Sequence, residues 1–165
     1  MAELVTGMFL TRDSAERAVA DLQELGYTQN EISVMMNDQT RARQFAVETA
    51  VKATEGAGIG AGIGGTLGAL VALLMAGGAI GATGGAATPL VAGPLAAALA
   101  GAGAGGLGGG LIGGLIGVGI SEEQARAYEA TLYTGGILLA VHADGDSVPR
   151  VRQVLESDGA VNVLG

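Results

Sequence analysis

The stretch from Gly56 to Ser121 sets the limits on what this chain can fold into. Across 66 consecutive residues there is no Asp, Glu, Lys, Arg or His, and 24 of the chain's 31 glycines fall there. Two rows keep a four-residue period: Gly56, Gly60, Gly64 and Gly68, then Gly101, Gly105, Gly109, Gly113 and Gly117. Lacking ionisable side chains, the stretch has little means of acid–base or nucleophilic catalysis. Its chemistry suits a different task, which is to bring helices to short range in an apolar setting.

Pro89 and Pro94 are the only prolines of the stretch and fall near its middle. Proline breaks a helix interior and biases the residue before it away from helix. The expected layout is an arm over 56–76, an irregular region over 77–93, and an arm over 94–120. Each arm is long enough for a hydrocarbon core, which needs about 20 residues. In water each helical glycine costs about 1 kcal/mol relative to alanine, so such runs need tight packing. In an apolar medium the backbone must satisfy its own hydrogen bonds, which makes helix nearly obligatory. The nine glycines of the two rows are therefore the predicted helix-packing residues. Leu107, Leu111, Leu115 and Val118 lie opposite the second row, leaving one smooth side and one greasy side. Ile59, Ile63, Leu67, Leu70 and Leu74 form a less cleanly opposed stripe on the first arm. Flexible linkers carry serine and polar residues, of which this stretch has almost none. A phosphate-binding glycine loop would need a strand–loop–helix setting and a following Lys-Ser/Thr, and neither is present.

The flanks read differently. Residues 1–55 carry nine acids and five bases, and residues 122–165 carry seven acids and three bases. Leu4 to Leu10 reads as a buried strand. Thr11 offers an N-cap, and Ala15, Ala18, Val19, Leu22 and Leu25 follow at helical spacing. Gly26 ends that helix, a turn spans Tyr27–Glu31, and Ile32–Met36 is a second strand closed by Asn37-Asp38. Residues 39–55 read as a connecting helix, with Arg41, Arg43 and Lys52 just ahead of the neutral stretch. Positive residues there favour the cytoplasmic side of a bilayer, and they fit the solvated face of a connecting helix equally well. Ser121-Glu122-Glu123-Gln124 is a capping box that opens a helix with Ala125, Tyr128 and Leu132 inward, ending at Gly135-Gly136. Ile137–Ala143 is a strand, Val148, Val151, Val154 and Leu155 share a helix face, Gly159 stops that helix, and Ala160–Leu164 is a last strand.

The organisation expected is thus a first βαβ half (1–38), a connecting helix (39–55), an apolar helical hairpin (56–120), then a helix and a second βαβ half (121–165). The fold class is α+β. The two halves should form one ferredoxin-like domain, a four-stranded sheet with helices on one face, interrupted by the glycine-zipper hairpin. Both ends of the insertion then emerge on the same side.

Composition excludes several functions. The net charge of −8 disfavours nucleic acid, whose phosphates demand a clustered positive surface. There is no cysteine, hence no disulfide framework or thiolate metal site. His142 is the only histidine and reads as a strand-edge residue rather than a ligand or base. Glu122-Glu123 suits a helix first turn favoured by the dipole, and Asp144-x-Asp146 suits a polar turn. Tyr128 and Tyr133 lie too far round the helix to form a stacking site. No catalytic residue, cofactor or metal site is expected, and the N-terminus lacks the basic and apolar regions of a secretory signal.

A resemblance adds to this reading. Val5-x-Gly7-x-Phe9, Ala15-Glu16-x-Ala18-Val19-x-x-Leu22, Leu25-Gly26-Tyr27 and Ile32-Ser33-Val34 are similar to motifs of the bacterial general stress / low-temperature-induced protein family with a glycine-rich central domain. So are the glycine rows, Gly119-Ile120-Ser121-Glu122-Glu123-x-Ala125-x-x-Tyr128-Glu129 and Gly135-Gly136-Ile137-Leu138. The resemblance spans nearly the whole chain and implies stress-linked expression and membrane association, with no catalytic residues to carry over. The expectation is a non-enzymatic, homo-oligomeric protein of the inner membrane with both termini cytoplasmic. The alternative is a cytoplasmic scaffold whose apolar helices form a bundle or tube that holds lipid or a quinone, or docks a partner enzyme.

Overall fold

The computed structural model describes residues 2–28, 30–37, 39–40, 89–92, 94–95 and 110–165. The first strand, β1 (Ala2–Phe9), leads into helix α1 (Arg12–Glu24). Thr11 is extended and its side chain accepts the Ser14 amide, the N-cap that its position in the sequence suggests. Ala15, Ala18, Val19 and Leu22 are buried, while Leu25, expected inward, is the exposed C-cap residue. Gly26 follows in the left-handed region at φ +99°, so the chain can turn back toward β2 (Ile32–Asn37).

Four strands from the flanks, β1, β2, β4 (Ile137–Asp144) and β5 (Val161–Leu164), lie in the antiparallel order β2-β4-β1-β5. Strand β4 is central and pairs with β1 from Ala2↔Asp144 to Phe9↔Ile137. A fifth strand, β3 (Pro89–Ala92), pairs antiparallel with the outer edge of β2, from Val34↔Ala92 to Asn37↔Pro89. This corrects the sequence reading, which placed these residues in an irregular hinge. The two prolines do interrupt helix, but a free sheet edge offers the intervening residues hydrogen-bond partners, so they extend as a strand.

Three more helices complete the described fold: α2 (Gly110–Gly117), α3 (Glu122–Tyr133) and α4 (Val148–Ser157). Ser121 caps α3 through its hydroxyl, which accepts the Gln124 amide and bonds the Gln124 side chain at 2.7 Å. Helices α1 and α4 pack together on one face of the sheet, over Val5, Phe9, Val34, Met36, Ile137, Leu139, Val141 and Ala143. Alternate residues of the same strands, Met8, Met35, Leu138 and Ala140, point the other way and are covered by Ala125, Tyr128 and Leu132 of α3, Leu115 of α2, and Leu95. Helices therefore cover both faces, where the sequence reading expected one. The reason is visible in β4. Its run Ile-Leu-Leu-Ala-Val is continuously apolar rather than alternating, and such a strand must be buried on both sides.

The expected helix over 39–55 lies outside the described residues beyond Thr40, as do the whole arm 56–76 and positions 96–109 of the second arm. Among the described residues no helix is long and apolar enough to cross a membrane.

Candidate functional site

The chemistry that distinguishes this chain is its uncharged insertion, so the sites of interest are those where the domain grips it. Three lie on the α2/α3 face. At the exit, Asn37 ends β2 almost fully buried. Its Nδ2 donates to the Leu132 carbonyl at 2.7 Å, and its Oδ1 accepts the Thr40 amide at 2.6 Å. One side chain thus closes the C-terminus of α3 and starts the segment that leads toward the insertion. In the middle, beside β3, the Leu95 amide donates to Ser33 Oγ at 3.0 Å, and both residues are buried. At the return, Leu115 is buried and Leu111, Ile112 and Val118 pack partly against the same core, ahead of the buried Ile120.

Of the nine predicted packing glycines, Gly113 and Gly117 fall in α2; Gly56, Gly60, Gly64, Gly68, Gly101, Gly105 and Gly109 lie outside the described residues. Gly117 is exposed and Gly113 half-buried, and a Cβ built on Gly113 meets nothing within 4 Å. The side opposite, Leu111, Leu115 and Val118, was expected to face lipid or another protein. In this part of the arm it packs into the domain's own core instead, beside α3. The core takes the greasy side and leaves the glycine side outward.

Behind these anchors stands a buried polar link. The hydroxyl of Tyr128, in α3, donates to the Asn162 carbonyl at 2.8 Å, so the Thr6 hydroxyl 2.9 Å away donates to Tyr128. Asn162 has φ +53°, next to the point where β5 shifts register on β1. Burial pushes the Tyr128 pKa above its ordinary 10.0, opposed by the Thr6 hydrogen bond.

A second feature is a cavity of about 390 Å³ at the opposite end of β2, lined by Leu25, Gly26, Tyr27, Glu31, His142, Asp144, Ser147 and Arg150. His142 is half-buried in the central strand β4, not at a sheet edge as expected, and its Nδ1 is buried without a hydrogen-bond partner. Two hydrogen bonds from Thr28, first its amide and then its hydroxyl, hold the Glu31 carboxyl below its ordinary 4.5. Carboxylates and a guanidinium can interact here with a small polar solute. Among the described residues, however, no cluster of three His, Asp or Glu suits a metal ion.

Ser33, Asn37 and Thr6 are the residues that sequence reasoning passed over as anchors. Their signal was present: each is a hydrogen-bonding side chain inside or closing an apolar strand, where burial demands a partner. Comparison with known proteins finds no matching family, curated protein or solved structure.

Proposed function

We propose that the α+β domain is a platform, and that the protein's work is done by the insertion it holds, which associates with a lipid bilayer and with copies of itself. On this reading the protein is not an enzyme. It resides at the cytoplasmic face of the inner membrane with both termini on that side, in a stress-linked role like that of the general stress family it resembles. The order β2-β4-β1-β5, with α1 and α4 on one face, favours a ferredoxin-like platform.

The observation that carries the proposal is a contrast within one chain. Residues 56–121 hold no ionisable side chain, yet Leu95 within them donates its amide to the buried Ser33 hydroxyl, and Leu111, Ile112, Leu115, Val118 and Ile120 pack into the domain core. A disposable linker has no need of such anchoring. Fractionation of cells with a carbonate wash tests the proposal: the protein should stay with the membrane pellet, and full recovery in the soluble fraction refutes it.

One observation favours the alternative of a detergent-independent assembly. Leu95 and Leu115 are both buried in the domain core, so the glycine side of α2 is offered outward to another helix rather than withdrawn into lipid. Particle mass with and without detergent separates the two readings. A large particle unchanged by detergent supports the assembly, and a species held only in micelles supports the bilayer.

A further inference from the structure

We propose that one end of the sheet, where β1 and β2 finish and β4 begins, is the surface on which the domain rests against a lipid bilayer, with Leu10 and Tyr133 seated in the headgroup layer. The inference rests on the membrane reading above and adds the domain's orientation. Its basis is the strand register. Phe9 and Met36 both lie opposite Ile137, so β1 and β2 end together, and Pro89 lies opposite Asn37, so β3 starts at that same end. The segment 41–88 therefore leaves the domain and re-enters it at one end of the sheet. The departure point is fastened to α3. Asn37 Nδ2 donates to the Leu132 carbonyl, with the Tyr133 carbonyl 3.4 Å away, and a Cβ on Gly135 would meet the Thr40 hydroxyl at 3.4 Å.

The two most exposed large hydrophobics among the described residues stand at this exit. Leu10, one residue past the end of β1, is 62% exposed, and Tyr133, at the end of α3, is 59% exposed. Val161, opposite Met8 at the start of β5, is exposed beside them. A leucine in water gains by entering the acyl boundary, and an apolar ring with a polar hydroxyl suits the headgroup level. The chain that emerges here carries Arg41, Arg43 and Lys52 against Glu48 and Glu55, a local positive excess within a net charge of −8. Such bases favour lipid phosphates. At the opposite end the exposed Leu25 shares a cavity wall with the carboxylates Glu31 and Asp144, which phosphates repel. A second copy of the domain seated at the exit would compete for space with the chain passing through it, which a fluid headgroup layer does not.

The chain has no tryptophan, so one introduced at a time reports on its own surroundings. Full-length Leu10→Trp, Tyr133→Trp and, as the control at the opposite end, Leu25→Trp are mixed with phosphatidylcholine vesicles. Emission is followed together with quenching by brominated phosphatidylcholine, and flotation of the same samples measures binding. Leu10→Trp and Tyr133→Trp should shift to the blue and be quenched, while Leu25→Trp keeps its aqueous spectrum. Protein that floats while the tryptophans at positions 10 and 133 stay aqueous overturns this orientation and leaves the membrane reading intact. Equal quenching at all three positions overturns it as well. A blue shift that grows with protein concentration in the absence of lipid assigns the surface to a second copy and overturns the lipid contact. Absence of flotation for wild type and all three variants overturns both the orientation and the membrane reading.

Loss of the contact supplies the opposite sign. Leu10→Asp/Tyr133→Asp removes two apolar groups from the exposed end and should lower the vesicle partition coefficient roughly tenfold. Because both side chains are exposed, the urea midpoint should stay near that of wild type. An unchanged partition coefficient refutes the contact.

Discussion

Replacing Tyr128 with Phe removes one oxygen atom from the centre of the α3 face and tests how the described domain is held together. The ring is fully buried, so the packing is retained and only the hydroxyl's two hydrogen bonds are lost, to Thr6 at 2.9 Å and to the Asn162 carbonyl at 2.8 Å. Each such bond contributes about 1 kcal/mol net, and a buried partner left unsatisfied adds its own desolvation cost. Thr6 is 1% exposed and has no route to water, whereas Asn162 lies on the exposed edge strand and can rehydrate. The expected destabilisation is therefore about 2 kcal/mol, carried mainly by Thr6. For a chain of this length that corresponds to a fall in Tm of about 4–8 °C.

Urea unfolding measures it directly, as a lower midpoint at unchanged slope. A cycle with Thr6→Val should return about 1 kcal/mol of coupling, because the two side chains share one bond. The pH dependence gives an independent check. Burial raises the Tyr128 pKa above 10.0 in the folded state, so above pH 10 the unfolded chain loses its proton first. The stability contributed by the neutral phenol is thus complete below pH 10 and lost as pH rises from there through the folded value. Tyr128→Phe should flatten that alkaline decline. A loss below about 0.5 kcal/mol, the range of a surface substitution, with the alkaline slope unchanged, refutes the account of Tyr128 as a pin between α3, β1 and β5.

Two glycines give opposite outcomes on substitution. A Cβ on Gly136 lies 2.7 Å from Thr131 Cγ2 and 2.9 Å from the Thr131 carbonyl oxygen, so Gly136→Ala should cost about 2 kcal/mol in denaturant unfolding. Gly113→Ala meets no neighbour within 4 Å and should stabilise by up to about 1 kcal/mol through helix propensity. If it also lowers the oligomer mass seen in light scattering, the outward glycine side works between copies; unchanged mass argues against that. Asn37→Ala loses both ends of its bridge, to Leu132 and Thr40, and should cost about 2 kcal/mol, with faster hydrogen exchange at Thr40 as the local signature. Asp158 is raised above its ordinary 3.8, first by burial and then by Asp21, against the pull of Arg17, so its ionisation opposes folding. Asp158→Asn should therefore gain stability at neutral pH, and the gain should vanish below pH 3.8; a loss at neutral pH refutes it.

Local signals in the sequence determined most of the flanking elements. Thr11 and Ser121 as N-caps, Gly26 as a helix end, and the inward faces of α1, α3 and α4 follow from side-chain hydrogen bonding, backbone freedom and helical period, which act within a few residues. The uncharged insertion was equally plain, because the absence of ionisable groups is a property of composition alone. Only the tertiary structure decided the rest. Residues 89–92 become a strand because β2 has an open edge, a partner more than fifty positions away in the chain. The second face of the continuously apolar β4 is covered by α3, and the greasy side of α2 turns inward to complete the core around α3, so one hydrophobic stripe satisfied a demand that its own sequence does not record. Ser33, Asn37 and Thr6 become anchors because each meets a partner supplied by a distant segment. Local chemistry specifies which groups must be satisfied, and the fold determines which groups satisfy them.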